Sequence, residues 1–135
     1  MKRIFPLVLI IALVFSGCSI RRTDITRGDI IDAYQKAGYT VWSTEYDAPL
    51  EEGEIAYVQA IRPDGDYIYF SFFESNEQAK RCKELYYHPV AMSFFALIYG
   101  EMNWPRWEVY GSIIAEYNLF DSELLEPFSE LMKSK

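Results

Sequence analysis

Two apolar segments joined by a short turn sequence constrain the fold of this 135-residue chain more than any other feature. They comprise residues 55–61 and 67–73, and Asp64-Gly65 between them supplies the backbone freedom that a tight turn needs. In the second segment, both sets of alternating residues are rich in aromatic and apolar side chains. A strand that is apolar on both faces is typical of the middle of a sheet. We therefore expect an antiparallel hairpin whose second strand is central.

Periodicity and turn residues predict the remaining elements. Thr26 with Asp29, and Ser75 with Gln78, have the spacing of a capping box at the start of a helix. Pro127 either kinks the last helix or belongs to its first turn. The predicted elements are helices over residues 27–37, 76–87 and from 121 onwards, and strands over 40–46, 55–61, 67–73 and 107–117.

Residues 90–99 are almost wholly apolar, so their period does not distinguish a strand from a helix. We predict a buried strand that turns through residues 100–105, and a buried helix is the alternative. The order of elements predicts one α+β domain over residues 28–135. Its architecture is an antiparallel sheet of about four to five strands with helices packed on one face.

The N-terminus has the layout of a secretory signal. Lys2 and Arg3 precede an apolar run over residues 4–15, and two small residues lie directly before Cys18. The run is shorter than the roughly 20 apolar residues that a membrane-spanning helix needs. Residues 1–17 are therefore predicted to be a signal peptide.

The sequence Phe15-Ser16-Gly17-Cys18 resembles the lipobox of bacterial lipoproteins. The resemblance implies cleavage between Gly17 and Cys18 and attachment of a diacylglyceryl lipid to Cys18, with no other cofactor. Two acyl chains anchor a protein stably, so residues 18–27 would be a lipidated tether to the membrane. The expected location is the outward face of the bacterial cell membrane, or the outer membrane if the organism has one.

Charge and cysteine content argue against several functions. Without Lys2 and Arg3, the mature chain has 11 basic and 20 acidic residues, a net charge of −9, and no basic stripe for nucleic acid. With Cys18 lipidated, Cys82 has no disulfide partner in the chain. Cys82 and the only histidine, His88, are expected on different helix faces, because six residues rotate a side chain by about 240°. One histidine cannot complete a zinc site, and we expect no enzyme.

Five acidic residues crowd the segment that follows the first predicted strand. They are Glu45, Asp47, Glu51, Glu52 and Glu54, with no basic residue among them. Carboxylate oxygens bind calcium, which makes this loop a weak calcium candidate. The spacing matches no known calcium loop, so a solvated acidic loop is the favoured interpretation and no metal is expected.

Aromatic residues near the predicted last strand are the most suggestive feature for binding. Trp104 and Trp107 bracket Arg106, and Tyr110 follows closely. Trp, Tyr and Arg are enriched at interface hot spots, so these four residues form the predicted interaction surface. Packing in the core or in a hairpin is the alternative role for them.

The globular part resembles small bacterial lipoproteins of unknown function, through residues 39–41 and 110–114. That resemblance implies no activity. We expect a membrane-anchored extracytoplasmic lipoprotein that binds an envelope protein or a cell-wall ligand. The alternative is a hydrolase that acts on envelope material through carboxylates.

Overall fold

The structure, a computed structural model, describes residues 25–98 and 105–135. Its helices are α1 (Arg27–Lys36), α2 (Asn76–Tyr86), α3 (Pro89–Ile98) and α4 (Glu126–Ser134), with a 3₁₀ turn at Ser122–Leu125. Its strands are β1 (Thr40–Glu45), β2 (Ala56–Ile61), β3 (Tyr67–Phe72), β4 (Pro105–Tyr110) and β5 (Ile113–Asn118). The strands form one sheet in the order β1-β2-β3-β5-β4, and every neighbouring pair is antiparallel. The predicted α+β class and the antiparallel sheet are confirmed.

The central hairpin of β2 and β3 forms where the sequence predicts it. In its turn, Gly65 has a φ of +98°, a conformation that glycine adopts without a steric penalty. The guanidinium of Arg62 donates to Asp64 at 2.7 Å and to Asp121 at 2.5 Å. This pairing ties the hairpin turn to the chain that follows β5.

Helices α1 and α4 pack together on one face of the sheet. The buried hydroxyl of Tyr34 on α1 donates to the backbone oxygen of Leu124 at 2.8 Å. The Tyr34 ring lies edge-on to Phe70 of β3, and Phe70 contacts Phe128 of α4 with ring centroids 5.1 Å apart. The capping box of Thr26 and Asp29 starts α1 as predicted. These contacts form the main core and agree with the prediction of helices packed on one face.

Helix α2 packs on the opposite face, over β4 and β5. Ser75 caps it by accepting a hydrogen bond from the backbone of Gln78. Its buried side chains belong to a second core cluster that contains Phe73, Ala79, Cys82 and Ile114. This helix adds a partial cover to the second face that the prediction did not include.

The preferred prediction of a buried strand over residues 90–99 is wrong. Residues 90–98 belong to α3, and several of their large side chains are exposed, whereas residues 99–104, which include most of the predicted turn, lie outside the described residues. Pro89 begins this helix, a position where proline loses no hydrogen bond and its fixed φ suits the first turn. An apolar run without a period is compatible with a strand or a helix, so tertiary packing decides which of the two forms.

The prediction of one strand over residues 107–117 is also wrong, because the segment forms a hairpin of β4 and β5. Tyr110 and Ile113 are register partners across a two-residue loop. Gly111 has a φ of +60° at the first loop position, as a type II′ turn requires. The turn moves odd-numbered residues to the opposite face, so that Trp107 shares a face with Glu116 rather than with Ile113.

The chain after β5 resolves the question of Pro127. A 3₁₀ turn precedes α4, and Pro127 lies in the first turn of α4 rather than kinking a longer helix. Leu124 in the 3₁₀ turn and Phe128 in α4 are both fully buried.

Candidate binding surface

The second face of the sheet has a covered end and an exposed end. At the covered end, Ile114 of β5 is buried beneath α2, in one cluster with Cys82 of that helix. At the other end, Trp42 on the edge strand β1 is 61% exposed. The strand register places Trp42 beside Gln59, and Gln59 beside Tyr69, on this same face. Within the described residues, the β1–β2 end of this face is therefore only partly covered, with Trp42 exposed and Gln59 and Tyr69 half-buried.

Two more tyrosines extend this surface, which we call the tyrosine face and define as Trp42, Tyr46, Tyr57, Gln59 and Tyr69. The rings of Tyr57 and Tyr69 stack with centroids 5.1 Å apart and planes 17° apart. Tyr46 lies against Tyr57 with a centroid distance of 6.1 Å. Aromatic rings that also carry hydrogen-bonding groups can stack on a flat ligand surface and bind its polar edge.

A buried carboxylate holds two of these tyrosines in place. Glu54 is only 6% exposed, and its Oε1 accepts hydrogen bonds from the Tyr69 hydroxyl at 2.9 Å and the Tyr46 hydroxyl at 3.1 Å. Burial, followed by the charge of Glu54, raises the pKa of both tyrosines. Both hydroxyls therefore remain protonated donors, as a buried carboxylate requires.

The loop between β1 and β2 brings Glu54 to this position. The backbone N–H of Leu50 donates to the Glu54 carbonyl at 2.9 Å, and Gly53 donates to the Leu50 carbonyl at the same distance. Gly53 has a φ of +93°, so this tight loop depends on glycine at that position.

A second carboxylate lies on the same face, between the tyrosine face and α2. Glu116 is the register partner of Tyr69 on one side and of Trp107 on the other. Burial raises the pKa of Glu116, the Trp107 indole lowers it, and the charge of Glu54 raises it further. The charge of Glu54 therefore acts on the carboxyl group of Glu116.

The predicted interaction surface around Trp107 is divided between the two faces of the sheet. Trp107 lies on the second face, where its ring stacks on Tyr87 with a centroid distance of 5.5 Å. Tyr110 lies on the first face and packs edge-on against Phe128 of the main core. Arg106 is exposed beside Glu108, and Trp104 lies outside the described residues. Trp107, Arg106 and Tyr110 therefore do not form one continuous surface.

Arg106 and Tyr110 instead belong to a polar cluster around Glu108. The Glu108 carboxylate accepts from the hydroxyls of Tyr110 and Tyr117 and pairs with Arg106 at 2.6 Å. Burial raises the pKa of Glu108, but the two hydroxyls and the guanidinium outweigh that effect and leave it below its ordinary value. The same burial and carboxylate raise the pKa of Tyr117 to about 12.

The acidic loop does not converge on a common point. Glu45 pairs with Arg27 of α1 at 3.1 Å, whereas Glu54 points to the tyrosines. Over residues 25–98 and 105–135, no group of three or more His, Cys, Asp or Glu side chains could hold a metal ion.

Cys82 and His88 have separate environments. Cys82 of α2 is buried, and burial, together with the charges of Glu52 and Glu54, raises the pKa of its thiol. A thiol with a raised pKa is a poor nucleophile. His88 is exposed, and its ring nitrogen Nε2 lies 3.1 Å from the backbone oxygen of Leu85.

Sequence reasoning identified Glu54 only as part of the acidic loop and missed Trp42 and Tyr57. The available signal was chemical: β3 has Ile68 and Phe70 on one face, but Tyr69 on the other. Tyrosine in place of phenylalanine indicates a face that needs hydrogen-bonding groups at its outer edge.

Comparison with known proteins found no matching family model, and no match among curated proteins or solved structures. Among the described residues, no helix has both the length and the apolar character needed to cross a membrane. A function for this protein is therefore inferred from the geometry of the chain and from its N-terminal sequence.

Proposed function

We propose that this protein is a membrane-anchored extracytoplasmic lipoprotein that binds an envelope ligand through the tyrosine face. The N-terminal sequence ending in Gly17-Cys18 supports the anchor, with a diacylglyceryl group on Cys18. The observation that carries the binding role is the exposed aromatic end of the second sheet face, with Trp42 at its edge.

The chemistry of the tyrosine face favours a ligand that presents sugar rings, such as a cell-wall glycan. Trp42 offers an exposed indole, and Gln59 on the neighbouring strand offers an amide that both donates and accepts hydrogen bonds. Glu54 fixes Tyr46 and Tyr69 from beneath, so these rings lose little freedom when a ligand binds. The net charge of −9 disfavours anionic polymers such as nucleic acids.

Co-sedimentation of the protein with isolated cell-wall material tests this proposal. Trp42→Ala is expected to weaken binding about tenfold or more, the effect of losing one aromatic hot spot. Phe120→Ala is the matched control, because Phe120 is 66% exposed and lies in the turn after β5. Equal binding by both variants would contradict the proposal. Binding to an envelope protein instead of glycan would retain the surface and change the ligand class.

A hydrolase acting on envelope material is the second candidate, and Glu116, a half-buried carboxyl group beside the tyrosine face, supports it. A raised pKa, as Glu116 has, is the property of a general acid in glycoside hydrolysis. Release of soluble fragments from cell-wall material by the wild type, abolished by Glu116→Gln, would favour the hydrolase. Binding without release in either protein would favour the binding module.

A further inference from the structure

Helix α3 exposes an apolar stripe. The side chains of Val90, Phe94, Leu97 and Ile98 are 84%, 62%, 61% and 61% exposed, respectively. At 3.6 residues per turn, these four positions lie within about 100° of one another around the helix. Helix α3 also contacts β4, so the domain supports it while the stripe faces outwards.

The exposed apolar surface continues into the end of α2. Leu85 and Tyr86 are both about half exposed, and only Tyr87 and His88 separate them from α3. Within the described part of the chain, more than half of the large hydrophobic side chains that are exposed lie between residues 85 and 98. Such a concentration of exposed apolar side chains in one short segment indicates contact with a partner or a membrane.

The local charge differs in sign from that of the whole chain. Helix α3 contains no charged residue, and α2 contributes three basic residues, Lys80, Arg81 and Lys83, against the two acidic residues Glu77 and Glu84. The two helices together are therefore net positive, in a chain whose predicted mature charge is −9. Basic residues next to an apolar helix are complementary to a surface of anionic lipid headgroups.

The predicted tether limits how far this surface can be from the membrane. Arg27, the start of α1, comes nine positions after Cys18, and extended chain spans at most about 30 Å over that distance in sequence. Helix α3 is about 15 Å long at 1.5 Å per residue, too short to cross a hydrocarbon core of about 30 Å. It has the length to lie along the interface rather than to span the membrane.

We propose that α3, with Leu85 and Tyr86, lies in the interface of an anionic lipid bilayer and orients the domain on the membrane. The inference rests on the proposed lipid anchor, which brings α3 to the bilayer. It adds a second membrane contact that is independent of ligand binding. Because α3 and the tyrosine face lie at opposite ends of the sheet, this orientation leaves the tyrosine face exposed to the envelope.

The test measures the depth of single positions in the full-length lipidated protein on vesicles of phosphatidylcholine and phosphatidylglycerol in equal parts. Phe94→Cys is labelled with an environment-sensitive fluorophore, and doxyl-labelled lipids serve as the quencher. Cys18 carries the lipid, and the buried Cys82 thiol reacts poorly, so the label is selective. Phe120→Cys is the matched control, since Phe120 is exposed to a similar extent.

The expected result is strong quenching at position 94 and little at position 120. Leu97→Asp should reduce the quenching at position 94 about tenfold, because a charged group at this depth opposes insertion. If the protein floats with the vesicles but position 94 is not quenched, or if both positions are quenched equally, the inference is overturned and the anchor remains intact. A concentration-dependent spectral change without vesicles would show that a second copy covers α3 and would also overturn it. Protein that fails to float with the vesicles would overturn the anchor and the inference together.

Discussion

Replacing Tyr69 by phenylalanine tests whether Glu54 organises the tyrosine face. The substitution removes one of the two hydroxyls that donate to the buried Glu54 carboxylate, at a distance of 2.9 Å. A hydrogen bond to a charged group contributes about 1.5–3 kcal/mol, and an unsatisfied buried acceptor adds to the loss. In a domain of roughly 100 residues, each kcal/mol corresponds to a fall in Tm of about 4–8 °C.

Tyr57→Phe is the matched control for this substitution. The Tyr57 hydroxyl contacts the Thr44 hydroxyl at 3.4 Å near the surface and does not bond to Glu54. Its loss should therefore cost about 0.5 kcal/mol or less. Urea denaturation of both variants gives the two costs, and a cycle of Tyr69→Phe, Glu54→Ala and the double variant measures the coupling between Tyr69 and Glu54. An equal cost for the two tyrosines, or no coupling, would refute the assigned role of Glu54.

Two further stability predictions concern carboxyl groups, and one concerns glycines. Glu108 has a lowered pKa, so its carboxylate stabilises the folded protein above the ordinary value of 4.5, and this stabilisation is lost as the pH falls through the folded pKa. Glu108→Gln should therefore destabilise the protein at neutral pH. The difference in stability between wild type and variant should shrink in acid. Glu116 has a raised pKa, so its charged form opposes folding, and Glu116→Gln should stabilise the protein increasingly as the pH rises above 4.5. Urea midpoints across the acid range test both signs, and parallel curves for the two variants would contradict the assignment. Gly65→Ala should destabilise the protein by about 1 kcal/mol because Gly65 has a positive φ, whereas Gly28→Ala in α1 should stabilise it by about 0.5–1 kcal/mol. A higher Tm for Gly65→Ala than for Gly28→Ala would contradict the turn geometry.

The sequence predicted those parts of the fold in which local chemistry and tertiary packing agree. The hairpin of β2 and β3 has a turn that needs glycine, and the Thr26–Asp29 spacing identifies the start of α1. Residues 107–117 were mispredicted because odd and even residue numbers continue to alternate through the two-residue turn. The turn nevertheless moves the odd-numbered residues to the opposite face of the sheet. Residues 90–99 were mispredicted because an apolar run was assumed to be buried.

The tyrosine face was not predicted because it depends on pairing between distant segments. Trp42, Tyr57 and Tyr69 come from three strands, and no local pattern shows which strands are neighbours. Glu54 was recognised as acidic, but its burial depends on a loop that folds back over Gly53. Trp107 and Tyr110 are close in sequence, but both belong to β4, and the alternation of side chains along that strand places them on opposite faces of the sheet.

Photo-cross-linking on intact cells shows whether the tyrosine face binds an envelope component. A benzophenone amino acid replaces Trp42 in one variant of the lipidated protein and Phe120 in the other, two side chains of similar exposure. We expect a reproducible cross-link to one envelope component from position 42 only, identified by mass spectrometry. The same products from both positions, or none from position 42, would contradict the proposal that the tyrosine face binds an envelope ligand.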